Sequence, residues 1–179
     1  MARVPYLNPA DLPAEHRHLL ESIRRPDGRN MNLHRAMAHC PELMRDRSVF
    51  ARALLMAPTN QIPADLRELA LLTVGFLTRC WYEYHHHTEF GLKAGLTQEK
   101  IMGVPFFRSN SLYSDAEKAV MLYAEEMTNN VQVGDATFAD LQRHLSAAQI
   151  VELTLTIAHY NSTVRFLEAL QVAPGDGGI

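Results

Sequence analysis

The chain has 179 residues, of which 47% are apolar, and a formal net charge of −3. This length can bury one substantial hydrophobic core without requiring two, so we expect a single domain over residues 1–179. The 17 Lys and Arg are outnumbered by 20 Asp and Glu, which argues against nucleic acid or an anionic membrane as a partner. Because no apolar run is long enough to span a bilayer and the first residues lack a secretory-signal pattern, we expect a cytoplasmic protein.

Helix signals dominate the first third of the chain after a proline-rich start. Residues 1–13 carry three prolines, which predict an extended arm. Turn and capping signals then predict three helices, from about Asp11–Glu15 to Arg25, from Asn30 or Asn32 through Ala38, and from Pro41 to about Ala57. The third helix has an approximate apolar stripe, which predicts a core helix with a charged outer face: Leu43, Val49, Phe50, Ala53, Leu54 and Met56.

The rest of the chain predicts further helices and no strands. The segments run from Leu66 to Leu77, from about Cys80 onward, from a Thr97 cap, from a Ser114–Glu117 capping box to about Asn129, from Ala136 to His144, and from a Ser146–Gln149 capping box to Ala173. The last segment is expected to be the longest helix, and residues 174–179 are expected to fray. No segment shows the period-two alternation of a strand, so we predict an all-α fold, a bundle of about seven to nine helices.

One carboxylate stands out in the segment from Leu66 to Leu77. This helix is apolar on nearly every side and must therefore be buried, yet it carries Glu68 near its start. The helix dipole favours the charged form of this carboxylate, whereas burial favours the neutral form. The sequence leaves the charge of Glu68 open.

Three further polar side chains share one face of the following helix. A turn at residues 78–79 places Cys80 at the N-terminal end of that helix, where the helix dipole favours a thiolate. At about 100° per residue, Cys80, Glu83 and His87 fall within an arc of roughly 60°. A short hairpin would bring Glu68 across from that face. Two carboxylates, a thiol and an imidazole together are suited to moving protons on a small carboxylated or peroxidic substrate.

Other interpretations of the same residues stay open. Cys80 can be a small buried side chain, and Glu83 with His87 can be a surface ion pair. The run His85–His87 suggests a zinc or iron site formed by His87 with Glu83 or Glu68. Consecutive helical positions span about 200° and cannot all face one ion, so we predict no metal. The neighbouring aromatic residues are expected to pack or to line a pocket: Trp81, Tyr82 and Tyr84.

A family resemblance lies in residues 67–101, RELALLTVGFLTRCWYEYHHHTEFGLKAGLTQEKI. This segment resembles the carboxymuconolactone decarboxylase family, whose members share the alkylhydroperoxidase D-like all-helical fold. The family has a Glu, a Cys twelve residues later, an acidic residue three further on and a His four after that. In this chain the matching residues are Glu68, Cys80, Glu83 and His87. The segment IAHYNSTVRFLEALQV also resembles a C-terminal helix of peroxidase-related members, so the likeness covers roughly residues 30–172.

One position departs from the thiol peroxidases of that family. Those members have a second cysteine where this chain has Glu83, and Cys40 lies outside the motif. Peroxide reduction by disulfide cycling needs one thiol to attack and another to resolve the oxidised sulfur. We expect both cysteines of this chain to be thiols, although the sequence allows Cys40 to approach Cys80. The resemblance therefore implies the non-peroxidase branch, a cofactor-independent decarboxylase or related lyase acting on a small lactone or carboxylic acid.

The resemblance also implies roles for individual residues. His87 would act as general acid or base, with Glu68 or Glu83 orienting it or sharing its proton. The substrate carboxylate needs a cation, for which Arg165 and Arg79 are the candidates. The predicted substrate contacts are Tyr84, Tyr160, Asn161 and Arg165.

Two alternative functions stay open beside the lyase. The chain can be a hydroperoxide reductase in which Cys80 is the attacking thiol, or a helical oligomer that binds a small molecule without catalysis. Members of the family commonly form trimers or hexamers, so the resemblance implies a homo-oligomer whose other partner is a small-molecule substrate.

Overall fold

The computed structural model describes residues 2–25 and 27–174. Over these residues the fold is all-α without strands, which confirms the predicted fold class. The described helices are α1 (Arg17–Glu21), α2 (Asn32–Met37), α3 (Pro41–Met56), α4 (Ala64–Leu77), α5 (Trp81–Lys93), α6 (Gln98–Gly103), α7 (Asp115–Asn130), α8 (Asp135–Gln142) and α9 (Ala147–Leu170), with short 3-10 turns at Pro9–Asp11, Ala14–His16 and Val104–Phe106. Pro26 of the predicted turn after Arg25, and residues 175–179 of the predicted frayed tail, lie outside the described residues.

The chain divides into two compact units. Residues 1–56 and 166–179 form one, called here the N-terminal unit, and residues 57–165 form the other, called the central unit. Helix α9 supplies its residues through Arg165 to the central unit and its last turn to the N-terminal unit. The expectation of a single domain over residues 1–179 stays a prediction.

A small apolar core organises the N-terminal unit. Its buried members are Leu12, Leu19, Leu20, Ala38 and Met44. Helix α1 ends at Glu21 rather than near Arg25 as predicted. The N–H of Arg25 donates to the carbonyl of Arg29 (2.8 Å), which is a turn bond and not a helical one.

The proline-rich arm is held by backbone hydrogen bonds. The N–H of Arg3 donates to the carbonyl of Leu170 (2.8 Å), and the N–H of Leu7 donates to the carbonyl of Arg35 (3.2 Å). The arm is not extended throughout, because Pro9–Asp11 forms a 3-10 turn.

The predicted asparagine cap of α2 is wrong. Neither Asn30 nor Asn32 caps the helix, whose first flanking residue is Met31. The side-chain amide of Asn30 instead donates to the carbonyl of Leu20 (2.6 Å), and that of Asn32 donates to the carbonyl of Ala173 (3.1 Å). Both asparagines tie α2 to distant parts of the N-terminal unit, which a local capping pattern does not reveal.

Helix α3 has nearly the predicted bounds, but its predicted burial is wrong. All members of the apolar stripe except Leu54 are exposed: Leu43, Val49, Phe50, Ala53 and Met56. The stripe spreads over about 160° of the helix, and only Leu54, at one edge of it, is buried. The buried face lies instead around Met44 and Leu54.

Helix α4 is the buried centre of the central unit, as predicted. Every residue from Leu66 to Gly75 is buried, and the helix packs against α5 and α7. Gly75 permits the close approach of α5, because a methyl group there would lie 3.1 Å from the backbone nitrogen of Tyr84. A buried cluster extends from this contact: Leu69, Leu72, Leu96, Ile101, Val104, Phe107, Tyr113 and Met121.

Three predicted helix caps are confirmed. The hydroxyl of Thr97 accepts a backbone N–H in the first turn of α6. Ser114 and Glu117 form a capping box, and Ser146 and Gln149 exchange the same pair of hydrogen bonds. Helix α9, with 24 residues, is the longest described helix, as predicted. In the described part of the chain, no helix has both the length and the hydrophobicity needed to cross a membrane.

Candidate active site

The turn between α4 and α5 fixes the position of Cys80. Arg79 has a positive φ of 56°, and its N–H donates to the carbonyl of Phe76 (3.1 Å). The N–H of Cys80 donates to the carbonyl of Gly75 (3.0 Å), and this pair of bonds closes α4 in a Schellman arrangement. Cys80 is therefore the N-cap of α5, as predicted. The side chain of Arg79, one of the two candidate cations, is exposed.

Three of the predicted site residues meet in the interior of the central unit. Nδ1 of His87 lies 2.6 Å from Oε2 of Glu68, and its Nε2 lies 3.3 Å from Oε2 of Glu83. His87 is 2% exposed, Glu68 is 1% exposed and Glu83 is also buried. Two carboxylates, one from α4 and one from α5, thus hold the imidazole at both of its nitrogens.

A fourth charged group extends this row of side chains. Nε of Arg67 donates to Oε1 of Glu68 at 3.0 Å, and Arg67 is itself buried. Positive and negative groups alternate along Arg67, Glu68, His87 and Glu83 when the imidazole is protonated, so the four charges cancel. Buried charges are tolerated when they are paired and hydrogen-bonded in this way.

The pKa of His87 is raised to about 9. Burial on its own lowers this pKa, because an imidazolium loses its hydration. Hydrogen bonds to Glu68 and Glu83, together with the attraction of both carboxylates, outweigh that cost. His87 is therefore protonated at neutral pH and is poised to donate a proton.

Two aromatic rings pack against the imidazole of His87. Tyr160 of α9 meets it edge to face with ring centroids 4.7 Å apart, and Phe90 of α5 lies at 5.7 Å. Tyr160 is buried, whereas Phe90 is exposed. Tyr160 was a predicted substrate contact. Phe90 was not predicted, although its position three residues after His87 places it next to that residue on the helix surface.

Cys80 lies at the start of the same helix and is fully buried, at 0% exposure. Helical spacing puts it on the face that carries Glu83 and His87. Cys40 belongs to the N-terminal unit and is exposed, and neither cysteine is in a disulfide. Both are thiols, as predicted.

The histidine run does not converge on one point. His87 is buried between carboxylates, whereas His85 and His86 are half-buried, with their ring centroids 5.8 Å apart. This divergence follows from the rotation of about 100° between consecutive helical positions. Within the described ranges, no group of three or more His, Cys, Asp and Glu side chains is arranged to hold a metal ion.

The other predicted substrate contacts have hydrogen-bond partners within the protein. The hydroxyl of Tyr84 donates to the carbonyl of Ile101 (2.7 Å). The amide of Asn161 donates to a threonine hydroxyl of α7 (3.1 Å). Arg165 is exposed and donates to the carbonyl (2.6 Å) and to Oδ1 (2.7 Å) of Asn161. Their contact with a substrate stays a prediction.

Arg67 is a site residue that the sequence analysis missed. Its position in the helix from Leu66 to Leu77 could have revealed it, because a helix that is apolar on every side leaves an arginine no route to solvent. A buried arginine needs an acceptor, and Glu68 is adjacent in the sequence.

The raised pKa of His87 should make the free energy of unfolding depend on pH. A group whose pKa is higher in the folded state stabilises the fold at low pH, and that contribution disappears as pH rises from about 6.5 to about 9. We expect the difference in unfolding free energy between wild type and His87→Gln to shrink by about 3 kcal/mol over this window. Urea unfolding at about pH 6 and pH 9.5 measures this difference, and a value that does not change with pH would contradict the raised pKa.

Comparison with known proteins identifies relatives of the chain. Residues 41–126 match the family model of the Carboxymuconolactone decarboxylase family. The uncharacterized protein YdfG of Bacillus subtilis (strain 168) is 27% identical over 113 residues, which cover 62% of this chain and 77% of that protein.

Solved structures share the fold of this chain. The AhpD core of an uncharacterized peroxidase-related protein from Ralstonia eutropha JMP134 matches with a TM-score of 0.83 and 17% identity, covering 98% of this chain and 93% of that one. A cysteine-to-alanine variant of the debrominase Bmp8, in complex with 2,3,4-tribromopyrrole, matches with a TM-score of 0.79 and 18% identity, covering 97% and 94%. Likeness at such low identity concerns the fold alone. Residues 41–126 thus match the Carboxymuconolactone decarboxylase family, and the fold of the chain is similar to that of AhpD-like helical proteins.

Proposed function

We propose that the protein is a cofactor-independent acid–base enzyme, a decarboxylase or related lyase, that acts on a small lactone or carboxylic acid. The observation that supports this proposal is the His87 imidazolium held between Glu68 and Glu83. Decarboxylation releases carbon dioxide and leaves an electron pair on carbon as an enolate, which must then take up a proton. Because its pKa is about 9, His87 carries that proton before the substrate arrives.

The unequal bonds to His87 favour one nitrogen as the proton donor. The contact of Nδ1 with Glu68 is 2.6 Å, whereas the contact of Nε2 with Glu83 is 3.3 Å. The shorter bond anchors the ring, and the longer one is easier to exchange for a substrate atom. Nε2 then gives its proton to carbon. The neutral imidazole that remains keeps the proton on Nδ1, which still donates a hydrogen bond to Glu68. Solvent returns the lost proton to Nε2.

Carbon dioxide release from a γ-lactone carboxylate tests this proposal. The wild-type protein is expected to release carbon dioxide faster than buffer, and His87→Gln is expected not to do so. Equal release by the two proteins would contradict a role for His87 as the acid.

A second candidate function is a thiol reaction of Cys80 with a hydroperoxide. Two observations support it: Cys80 is the N-cap of α5, where the helix dipole favours a thiolate, and the debrominase of similar fold was crystallised as a cysteine variant with a bromopyrrole. The thiolate would attack the peroxide O–O bond, giving a sulfenic acid and an alcohol. An external thiol would then have to restore Cys80, because Glu83 stands where a resolving cysteine would lie.

Cys80→Ala separates the two candidates. The acid–base proposal expects turnover of the lactone carboxylate within about threefold of wild type, far from the hundredfold loss expected for a missing acid. Cys40→Ala is the matched control, because it removes an exposed thiol of the other unit. Loss of turnover in Cys80→Ala alone, together with dimedone labelling of Cys80 after peroxide treatment, would favour the thiol reaction.

We also propose a cytoplasmic homo-oligomer, a trimer or hexamer, in keeping with the family. Exposed large apolar side chains support subunit contacts, because removing their apolar surface from water would stabilise an assembly. They include Leu43, Met56, Trp81, Met102 and Phe106. Light scattering of the purified protein measures the mass, and a monomeric mass at micromolar concentration would contradict the proposed assembly.

A further inference from the structure

A polar cavity in the N-terminal unit shares none of its lining residues with the proposed active site. Its volume is about 300 Å³, at the lower end of the range for small-molecule sites. None of the described acidic side chains lines the cavity. Most of its lining residues are arginines and asparagines: Asn8, Arg24, Arg29, Asn30, Asn32 and Arg35. Such a concentration of N–H donors and positive charge is typical of an anion site.

Arg35 contributes a positive charge that the described part of the chain does not pair with a carboxylate. Its guanidinium donates to the carbonyls of Leu7 (3.3 Å) and Tyr6 (3.5 Å) and to Oδ1 of Asn32 (3.0 Å). The ring of Tyr6 lies 5.3 Å from its Cζ. These partners fix the orientation of the half-buried guanidinium, but all of them are neutral. Since burying a charge without a counterion is costly, an anion in the cavity would stabilise Arg35.

Arg24 and Arg29 add two guanidinium groups at the exposed rim of the cavity. Each has one acidic neighbour, Glu21 at 3.5 Å and Asp27 at 2.9 Å, and neither acid lines the cavity. Residues 17–35 hold five arginines and two acidic residues, a net charge of +3 in a chain whose net charge is −3. Of the lining residues, three are arginines and none is acidic, so the charge of the lining itself is positive.

We propose that the cavity binds the phosphate group of a small phosphomonoester. Guanidinium groups from three separate points of the chain suit an oxyanion whose oxygens point in several directions. A phosphate dianion also offsets more of the local positive charge than a single carboxylate does. The cavity is larger than a phosphate group requires, which leaves room for a small organic body attached to the phosphate.

Isothermal titration calorimetry of the full chain tests this proposal, with ionic strength held constant so that general screening does not change. The probes are inorganic phosphate, glycerol phosphate and malonate. Saturable binding of phosphate is expected, with tighter binding of glycerol phosphate and weaker binding of malonate. Absence of saturable binding would overturn the site, and malonate binding as tightly as glycerol phosphate would overturn its assignment to phosphate.

Arg29→Gln and Arg143→Gln form a matched pair of variants. Both arginines are exposed and pair with a nearby aspartate, but Arg143 belongs to the central unit and does not line the cavity. Arg29→Gln is expected to weaken phosphate binding at least about tenfold, the usual loss for a charged hydrogen bond, and Arg143→Gln is expected to leave it unchanged. Equal affinities in the two variants would overturn the site. Because Arg35 also holds the arm, Arg35→Gln is used only if its thermal unfolding matches wild type.

Discussion

His87→Gln is expected to lower turnover of a γ-lactone carboxylate by about a hundredfold to ten-thousandfold. Glutamine has a similar reach and can hydrogen-bond Glu68 and Glu83, but it carries no proton that can be given to carbon at neutral pH. The loss is expected mainly in kcat, because the proton moves in the transition state and not when substrate binds. Steady-state kinetics at about pH 7 measure both kcat and KM.

His85→Gln is the matched control for that substitution. His85 lies on the same helix and is half-buried, but it is turned away from His87 by the helical rotation of about 200° over two residues. Its replacement is expected to leave turnover unchanged, and circular dichroism should show the same helix content in all three proteins. An equal loss in both variants, or no loss in His87→Gln, would refute the role of His87.

Glu68→Ala is expected to lower the free energy of unfolding by about 3–5 kcal/mol near pH 6. Glu68 accepts from both Arg67 and His87, and it is 1% exposed. Without it, a buried guanidinium and an imidazolium lose their shared acceptor and repel each other. The loss should be smaller above pH 9, where His87 becomes neutral and only Arg67 lacks its partner.

Urea unfolding of the wild type, Glu68→Ala and Glu89→Ala measures this effect. Glu89 lies on the exposed side of α5, so its replacement is expected to change the free energy of unfolding by no more than about 0.5 kcal/mol. If Glu68→Ala costs as little as Glu89→Ala, the buried row of charges does not form as described.

The helices were predictable where their signals are local. A cap such as Thr97 or the Ser114–Glu117 box acts over three residues, so the sequence itself contains both partners. The bounds of α3 followed in the same way from Pro41 at its first turn. The absence of period-two alternation was enough to predict an all-α fold.

Part of the candidate site was also predictable from spacing. Cys80, Glu83 and His87 share a helix face by periodicity, and a short turn brings Glu68 towards that face. The direction of the His87 pKa was not predictable, because it depends on the 2.6 Å contact with Glu68 across two helices and on the depth of burial. Tyr160 reaches the same ring from α9, far along the chain.

The wrong predictions share one physical cause, which is tertiary packing. The stripe of α3 is apolar, yet Leu43 is 70% exposed because the buried face is set by what packs on Met44 and Leu54. Asn32 was predicted to cap a helix, but its amide bonds to the carbonyl of Ala173, a residue remote in sequence. Arg67 was overlooked because its pairing with Glu68 depends on the side-chain orientations that packing imposes on α4.

The protonation state of His87 is the property on which the proposed chemistry most depends. Nitrogen-15 NMR of the imidazole, assigned by comparison with His87→Gln, measures it directly between about pH 5 and pH 10. We expect both ring nitrogens of His87 to be protonated near pH 7.5, with deprotonation at a midpoint near pH 9. A midpoint at or below the ordinary value of 6.5 would show that the two carboxylates do not hold a protonated imidazole, and would contradict an acid that is ready before substrate binds.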